Sequence, residues 1–383
     1  MTAVFLISCI KPFDYESVSY EKVIVVDGQF TDRKDLHKVS LHYTYPIHTK
    51  EPVPISGASM EIVDSQGNSF SLIETSSGIY RSMDSIAGTQ GEEYQLRFSL
   101  SDGKSYESIP SKLFQSPPID SIYDQYAELP SEIKNRNEGG IQFFLDVHDE
   151  ANLAKYFRYE WEETYVIHVP YPSNVVYHEE DSTWEERIEP IGTCYQTNYS
   201  NQLILGNSIG SKTNRLSEFP IRFVSGENET LRSRYSILVR QYVLNDNAYN
   251  YYRKLRESIE SGGTLFDKQQ GAILGNIISK DSEQEPVLGY FEVSGITESR
   301  VFFNYLDLDQ QLRRPKFIFP CLNATIETTR DSTIFYMEVY GGLLIVEDKQ
   351  TMIPGELDIV LAPQGCSDCS WYATTVKPDF WKN

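Results

Sequence analysis

Tyr94-Gln95-Leu96-Arg97-Phe98 and Ser105-Tyr106-Glu107-Ser108, joined through Ser101-Asp102-Gly103-Lys104, form the stretch that decides the fold. Both runs alternate apolar and polar residues with period two, and an Asp-Gly pair lies between them. Asp and Gly tolerate positive φ, so the pair is a strong hairpin signal. The same pattern recurs toward the N-terminus. Met60-Glu61-Ile62-Val63 and Ser69-Phe70-Ser71-Leu72-Ile73 flank the turn Asp64-Ser65-Gln66-Gly67-Asn68. Val39-Ser40-Leu41-His42-Tyr43-Thr44-Tyr45 alternates likewise, and the β-branched run Lys22-Val23-Ile24-Val25-Val26 ends at Asp27-Gly28. Short strands separated by turns every ~10 residues predict an immunoglobulin- or transthyretin-like β-sandwich over residues 21–113.

Ser116-Pro117-Pro118-Ile119-Asp120 is stiff and cannot continue a sheet, which places a domain boundary there. Strand patterns resume at Ile141 to Val147, Tyr156 to Val169 and Tyr235 to Val243, and later at Val287 to Val293 and Ser299 to Asn304. Thr333 to Val339, Leu343 to Val346 and Leu357 to Leu361 also read as strands. One segment differs. Ala248, Tyr252, Leu255 and Ile259 recur at helical spacing, with Asp246 or Asn247 to cap them and Gly262-Gly263 to stop them. Tyr252 falls on that apolar stripe and is expected to be buried. The reading is mainly β, with a larger mostly β domain over 114–383 carrying one amphipathic helix near 247–261.

At 383 residues the chain is long for one core, which agrees with two domains. It holds 34 Lys and Arg against 55 Asp and Glu, a formal charge of −21. Such a surface repels phosphate backbones and argues against nucleic acid as a partner. No run approaches the ~18 apolar residues of a membrane-spanning helix.

Leu6-Ile7-Ser8-Cys9 reads as a lipobox: an apolar residue three positions upstream, a small residue, then a cysteine that becomes the acylated N-terminus. Residues 1–20 are then a signal remnant and an acidic tether. Met1-Thr2-Ala3-Val4-Phe5 has no basic n-region, so a start codon further upstream is expected. The competing reading is a buried cysteine in an N-terminal strand. Beyond Cys9 stand Cys194, Cys321, Cys366 and Cys369. An even number in an exported chain favours two disulfides, with three connectivities open. Free thiols and a four-thiolate zinc site are the alternatives, the latter lacking a second close pair beside Cys366-Ser367-Asp368-Cys369.

Arg234-Tyr235-Ser236-Ile237-Leu238-Val239-Arg240-Gln241-Tyr242, followed by Ala248-Tyr249-Asn250-Tyr251-Tyr252, resembles the signature of a lipoprotein family. Gly262-Gly263-Thr264-Leu265-Phe266-Asp267, Gly275-Asn276-Ile277 and Val287-Leu288-Gly289-Tyr290-Phe291 extend the likeness, as do Cys366-Ser367-Asp368-Cys369 and Lys377-Pro378-Asp379-Phe380-Trp381. The chain resembles a domain-of-unknown-function group of outer-membrane lipoproteins often encoded beside SusC-type TonB-dependent receptors. The resemblance implies location and neighbourhood and carries over no catalytic residue. Its expectation is a lipid-anchored accessory protein on the cell surface or periplasmic face of the outer membrane. Such a protein binds a glycan, another nutrient or the TonB-dependent receptor itself, without covalent chemistry or cofactor. A structural or adhesive surface protein is the alternative, and a polysaccharide-processing enzyme the third.

The aromatic residues Trp161, Tyr165, Tyr171, Tyr177 and Trp184 fall along one segment and are the candidate ligand or partner contacts, with Val166 to Trp184 expected as an exposed loop. At strand period such rings serve equally as core. His178, Glu179, Glu180 and Asp181 are the densest cluster of hard ligands, and a solvated acidic loop accounts for them without a metal. No G-x-S-x-G elbow occurs; Gly206-Asn207-Ser208-Ile209-Gly210 comes nearest and also reads as a hairpin tip.

Overall fold

The computed structural model describes residues 22–45, 51–131, 136–178, 183–211, 213–261, 273–282, 284–349 and 357–382. The Cys9 lipobox, the acidic tether, the Gly262-Gly263 helix stop, and Glu179, Glu180 and Asp181 lie outside the described residues. The chain is mainly β and divides into two compact units. One runs up to Leu113 and takes in Lys254–Ser294; the other comprises Phe114–Arg253 and Gly295 onward.

In the first unit the hydrogen-bonded order begins with residues 287–294, then Ile24–Thr31, Lys38–Tyr43, Ile79–Ser82 and Ser69–Ser76. It continues through Ser59–Asp64, Glu93–Ser99 and Ser105–Ser108 to Ile277–Ser279. Ile24–Thr31 is parallel to 287–294 and antiparallel to Lys38–Tyr43. These strands wrap one core that contains Val26, Phe30, Leu41, Ile62, Tyr80, Leu96, Phe98, Tyr106, Phe291 and Val293. Each large side chain so buried contributes roughly 1.5–3 kcal/mol.

The deciding hairpin forms as its residues dictate. Phe98 lies opposite Tyr106, their rings stack at 5.0 Å, and Gly103 takes φ +90° in the connection. In the neighbouring hairpin the Asp64 carboxylate accepts from the Gln66 and Asn68 backbone N–H groups at 3.0 and 2.8 Å, fixing the turn. Asp27-Gly28 is not a turn: Ile24–Thr31 passes straight through it. A Cβ on Gly28 would lie 2.9 Å from the Val39 side chain and 3.1 Å from that of Phe291, so glycine serves here as a close packing position inside a strand.

The second unit holds the antiparallel sheet Ile119–Pro130, Asn137–His148 and Arg215–Ser225. A further run pairs Thr193–Tyr199 and Ile204–Asn207 with Tyr156–His168, which pairs Arg234–Leu244, which in turn pairs residues 295–304. Their core includes Phe143, Leu145, Phe157, Tyr159, Trp161, Tyr235, Ile237 and Val239. The helix Asp246–Ser261, whose residues up to Arg253 belong to this unit, is capped by Asn245, whose carboxamide oxygen accepts from the Ala248 N–H at 2.8 Å. Its first turn is anchored by Tyr249, which stacks on Tyr156 at 4.5 Å and accepts from Asn207. The expected apolar stripe loses cover along its length: Ala248 is buried, Tyr252, expected to be buried, and Leu255 are half-buried, and Ile259 is 67% exposed.

A small sheet of Ile326–Thr328, Ile359–Pro363 and Leu343–Asp348 completes this unit. Thr333–Tyr340, read above as a strand, is a helix. Its aromatic and β-branched residues favour strands, but the Gly341-Gly342 pair, at φ 62° and 60°, closes a helix C-terminus that a strand would not need. The Gly341 N–H bonds the Met337 carbonyl at 3.0 Å.

Candidate binding surface

Tyr156–His168 alternates between two surroundings, and this alternation sorts the expected contact residues. Phe157, Tyr159, Trp161, Tyr165 and Ile167 enter the core. Burial thus removes Trp161 and Tyr165 from any exposed contact surface, and the strand extends to His168 where a loop was expected from Val166. Between them Glu163 is fully buried. Its carboxylate accepts from Arg222 Nε and Nη2, both at 2.9 Å, from Tyr235 Oη at 3.0 Å and from Asn198 Nδ2 at 3.1 Å. The Arg222 guanidinium lies 4.4 Å over the Trp161 ring. On the opposite side Glu162 accepts from Arg240 at 3.0 Å and Arg300 at 2.5 Å. Burial opposes its ionisation, yet the bonds from Arg300 and Arg240 prevail and hold its carboxyl below the ordinary range.

The remaining aromatics belong to a different feature. Val175–His178 and Thr183–Glu186 pair as a two-stranded hairpin, with Tyr177 opposite Trp184 and their rings 5.1 Å apart. Both rings are half-buried against the small sheet, on Leu343, Ile345, Ile359 and Leu361, together with Tyr336 and Met337 of the Thr333–Tyr340 helix. Arg330, fixed by two bonds to Asp348 at 2.7 and 2.6 Å, places its guanidinium 5.3 Å over Trp184. The outer side of the helix presents Phe335, Val339 and Tyr340, which are 60%, 58% and 65% exposed. Tyr171, half-buried, is tied by its N–H to the Cys366 carbonyl at 3.0 Å.

These rings sit on a covalently fixed frame. Cys194 bonds Cys369, and Cys321 bonds Cys366, so the C-x-x-C pair is split between two disulfides and neither free thiols nor a zinc site describes it. Half-exposed tyrosine and tryptophan beside an arginine can stack on a sugar face or receive an apolar side chain, with directional polar contact at the rim. Of the aromatic candidates read from the sequence, Tyr177 and Trp184 lie on this surface, and Phe335, Tyr336 and Arg330 beside them were not among those candidates. The Gly341-Gly342 stop was the signal that could have placed the helix.

Other candidates have structural employment. His178 Nε2 lies 3.1 Å from Glu185 Oε1 across the hairpin. Among the described residues no three His, Cys, Asp or Glu side chains gather as a metal site. Ser208 is buried and donates to Asn214 Oδ1, within a network in which Asn214 also donates to Asp149 at 3.1 Å. A cavity of about 360 Å³ lies beside Pro117, Pro118, Asp120, His148 and Asp149. Asp149 there already accepts the Leu153 and Ala154 N–H groups, both at 2.7 Å, and so holds its own loop. In the first unit a cavity of about 300 Å³ contains Glu285, bonded to Lys104 at 2.8 Å and Tyr106 at 3.1 Å. The Lys104 bond holds the Glu285 carboxyl below its ordinary value.

A family model described as a domain of unknown function (DUF4249) matches residues 10–300. The hairpin carrying Tyr177 and Trp184 lies within the match, and the Thr333–Tyr340 helix follows it. No curated protein matches the chain. Among solved structures, a DUF4785 family protein from Legionella pneumophila subsp. pneumophila str. Philadelphia 1 is similar at 12% identity and TM-score 0.17. That likeness covers 57% of this chain and 52% of the other, so this chain spans about half the length of its relative, and at such a TM-score it carries no argument.

Proposed function

Because the chain belongs to the DUF4249 family, a domain of unknown function, we propose that it is a lipid-anchored outer-membrane accessory protein for a TonB-dependent transporter. It binds a ligand or partner at equilibrium and performs no covalent chemistry. The observation that carries this reading is the aromatic surface of Tyr177, Trp184, Phe335 and Tyr340 on a unit stapled by two disulfides. Disulfides suit an exported chain, and exposed rings on a rigid frame suit recognition with little ordering cost. The lipobox at Cys9 supplies the anchor, and a glycan or another nutrient is the ligand class that stacking rings serve best.

The test is a detergent pull-down of the native protein from outer membranes, with mass spectrometry of what is recovered. A stoichiometric TonB-dependent barrel, lost from a W184A/F335A variant, is the expected result. Recovery of the acylated protein alone would overturn the transporter role and favour the structural or adhesive alternative.

A further inference from the structure

We propose that the loop Arg313–Leu322 is a second contact surface, which lays a basic and apolar face against a phosphate-bearing lipid surface. It rests on the anchored reading for its setting, a chain held at a membrane.

The segment Arg313-Arg314-Pro315-Lys316-Phe317-Ile318-Phe319-Pro320-Cys321-Leu322 contains three cations and no acid, in a chain whose formal charge is −21. Arg313, Arg314 and Lys316 are exposed, and none has an ion-pair partner among the described residues. The aliphatic residues among and beside them point outward as well. Ile318 is 62% and Leu322 89% exposed. Arg232 lies under the same loop. Its own burial, then the charge of Arg314, lowers its affinity for the proton, which places one more positive group close by.

The loop has no regular secondary structure, yet it is pinned at three points. Arg232 donates to the Pro315 carbonyl and sets its guanidinium 3.5 Å over the Phe317 ring. The Ile318 N–H donates to Glu229 Oε2 at 2.9 Å, turning the backbone inward while the side chain faces out. Cys321 is bonded to Cys366, and Phe319 packs beside Trp371 at 5.5 Å and Tyr372 at 5.7 Å. Pinning of this kind lowers the entropy lost on contact.

Charge and apolarity together select the occupant. A polysaccharide offers C–H faces that stack on flat rings but no acyl region to take up the aliphatic Ile318 and Leu322. At a lipid interface, phosphates meet arginines and lysine while the aliphatic side chains enter the boundary beneath. Glu229 is the acid bonded to the loop from beneath and is itself buried, while acids further than ~8 Å are screened at physiological salt.

The experiment uses the full chain carrying Cys9→Ser, so that no acyl chain contributes. It is sedimented with vesicles of phosphatidylcholine alone or mixed with phosphatidylglycerol. Binding to the mixed vesicles, weakened by salt, is expected. R313E/R314E/K316E should lower it by roughly a hundredfold or more, and Ile318→Ser with Leu322→Ser by at least severalfold, both with unchanged tryptophan-detected unfolding. Equal partition to both vesicles, or an unaffected charge variant, would overturn the proposal. So would a loop that captures only a barrel protein. Mass spectrometry of native Cys9 separates the two readings: acylation without vesicle binding rejects the loop and keeps the anchor, whereas vesicle binding without acylation does the reverse.

Discussion

Arg222→Met should destabilise the second unit far more than Glu163→Gln, although both break the same pair. Glu163 is fully buried and accepts four hydrogen bonds, two of them from Arg222 at 2.9 Å. Arg222 itself keeps 28% of its side chain in solvent. Removing the arginine strands an anion with only Tyr235 and Asn198 as donors, a situation that costs about 3–5 kcal/mol. Loss of the cation from the Trp161 face adds about 1 kcal/mol. Glu163→Gln removes the charge but keeps an acceptor of the same shape, and the freed guanidinium can turn to water. That change forfeits about 1.5–3 kcal/mol. In the double variant no buried anion remains, so its loss should fall short of the sum of the two single losses by about 2 kcal/mol. Urea denaturation followed by tryptophan fluorescence reads this unit alone, because Trp161, Trp184, Trp371 and Trp381 all belong to it. An Arg222→Met cost below about 1 kcal/mol, or one equal to that of Glu163→Gln, would refute the reasoning.

Three further outcomes follow from the same structure. Replacing Cys194 and Cys369 by serine reopens a 175-residue loop and should cost about 5 kcal/mol, against about 4 for the 45-residue Cys321–Cys366 loop, and an inverted order in the same fluorescence assay would count against a loop-entropy origin. Burial, outweighing a bond to the Ile86 carbonyl, holds His37 below the ordinary imidazole range. The unfolded chain thus takes the proton first, and the first unit's stability is complete above pH ~6.5 and declines as pH falls below it; His37→Gln should flatten that decline in amide exchange, and an unchanged slope would reject the assignment. Gly289 has φ +86°, and a Cβ there would lie 1.9 Å from the Val26 carbonyl oxygen, so Gly289→Ala should unpair Ile24–Thr31 from residues 287–294 and expose those amides to exchange.

What was legible in the sequence is what local chemistry fixes. The Glu93–Ser99 and Ser105–Ser108 hairpin follows from alternation and an Asp-Gly pair within fifteen or so residues, and the Asp246–Ser261 helix follows from apolar spacing. Asp27-Gly28 misled because the reason for its glycine is tertiary: Val39 of the paired strand and Phe291, more than two hundred and fifty positions away, together fill the space a Cβ would take. Thr333–Tyr340 misled because its composition favours a strand while the Gly341-Gly342 pair ends a helix. Propensity there is a weak prior, and the closing geometry outweighs it.

The candidate site divides along the same line. Tyr177 and Trp184 meet across a short hairpin, a pairing that sequence proximity makes discoverable. Trp161 and Tyr165 share the composition and the period of contact residues, and only the strands Arg215–Ser225 and Arg234–Leu244 decide that they are core. No residue near Trp161 announces that Arg222 will cover its ring. The partners of the two candidate rings are more distant still: Arg330 reaches Trp184 and Asp348, and Tyr336 shares the floor on which Tyr177 rests. Cys321–Cys366 closes the loop that carries Arg330, Tyr336 and the small sheet, Cys194–Cys369 ties the C-terminal segment to the strand Thr193–Tyr199, and the number of cysteines leaves that pairing open. With these bonds in place the rings of the candidate surface share one covalent frame, and on reduction they should lose their mutual placement even where each strand survives.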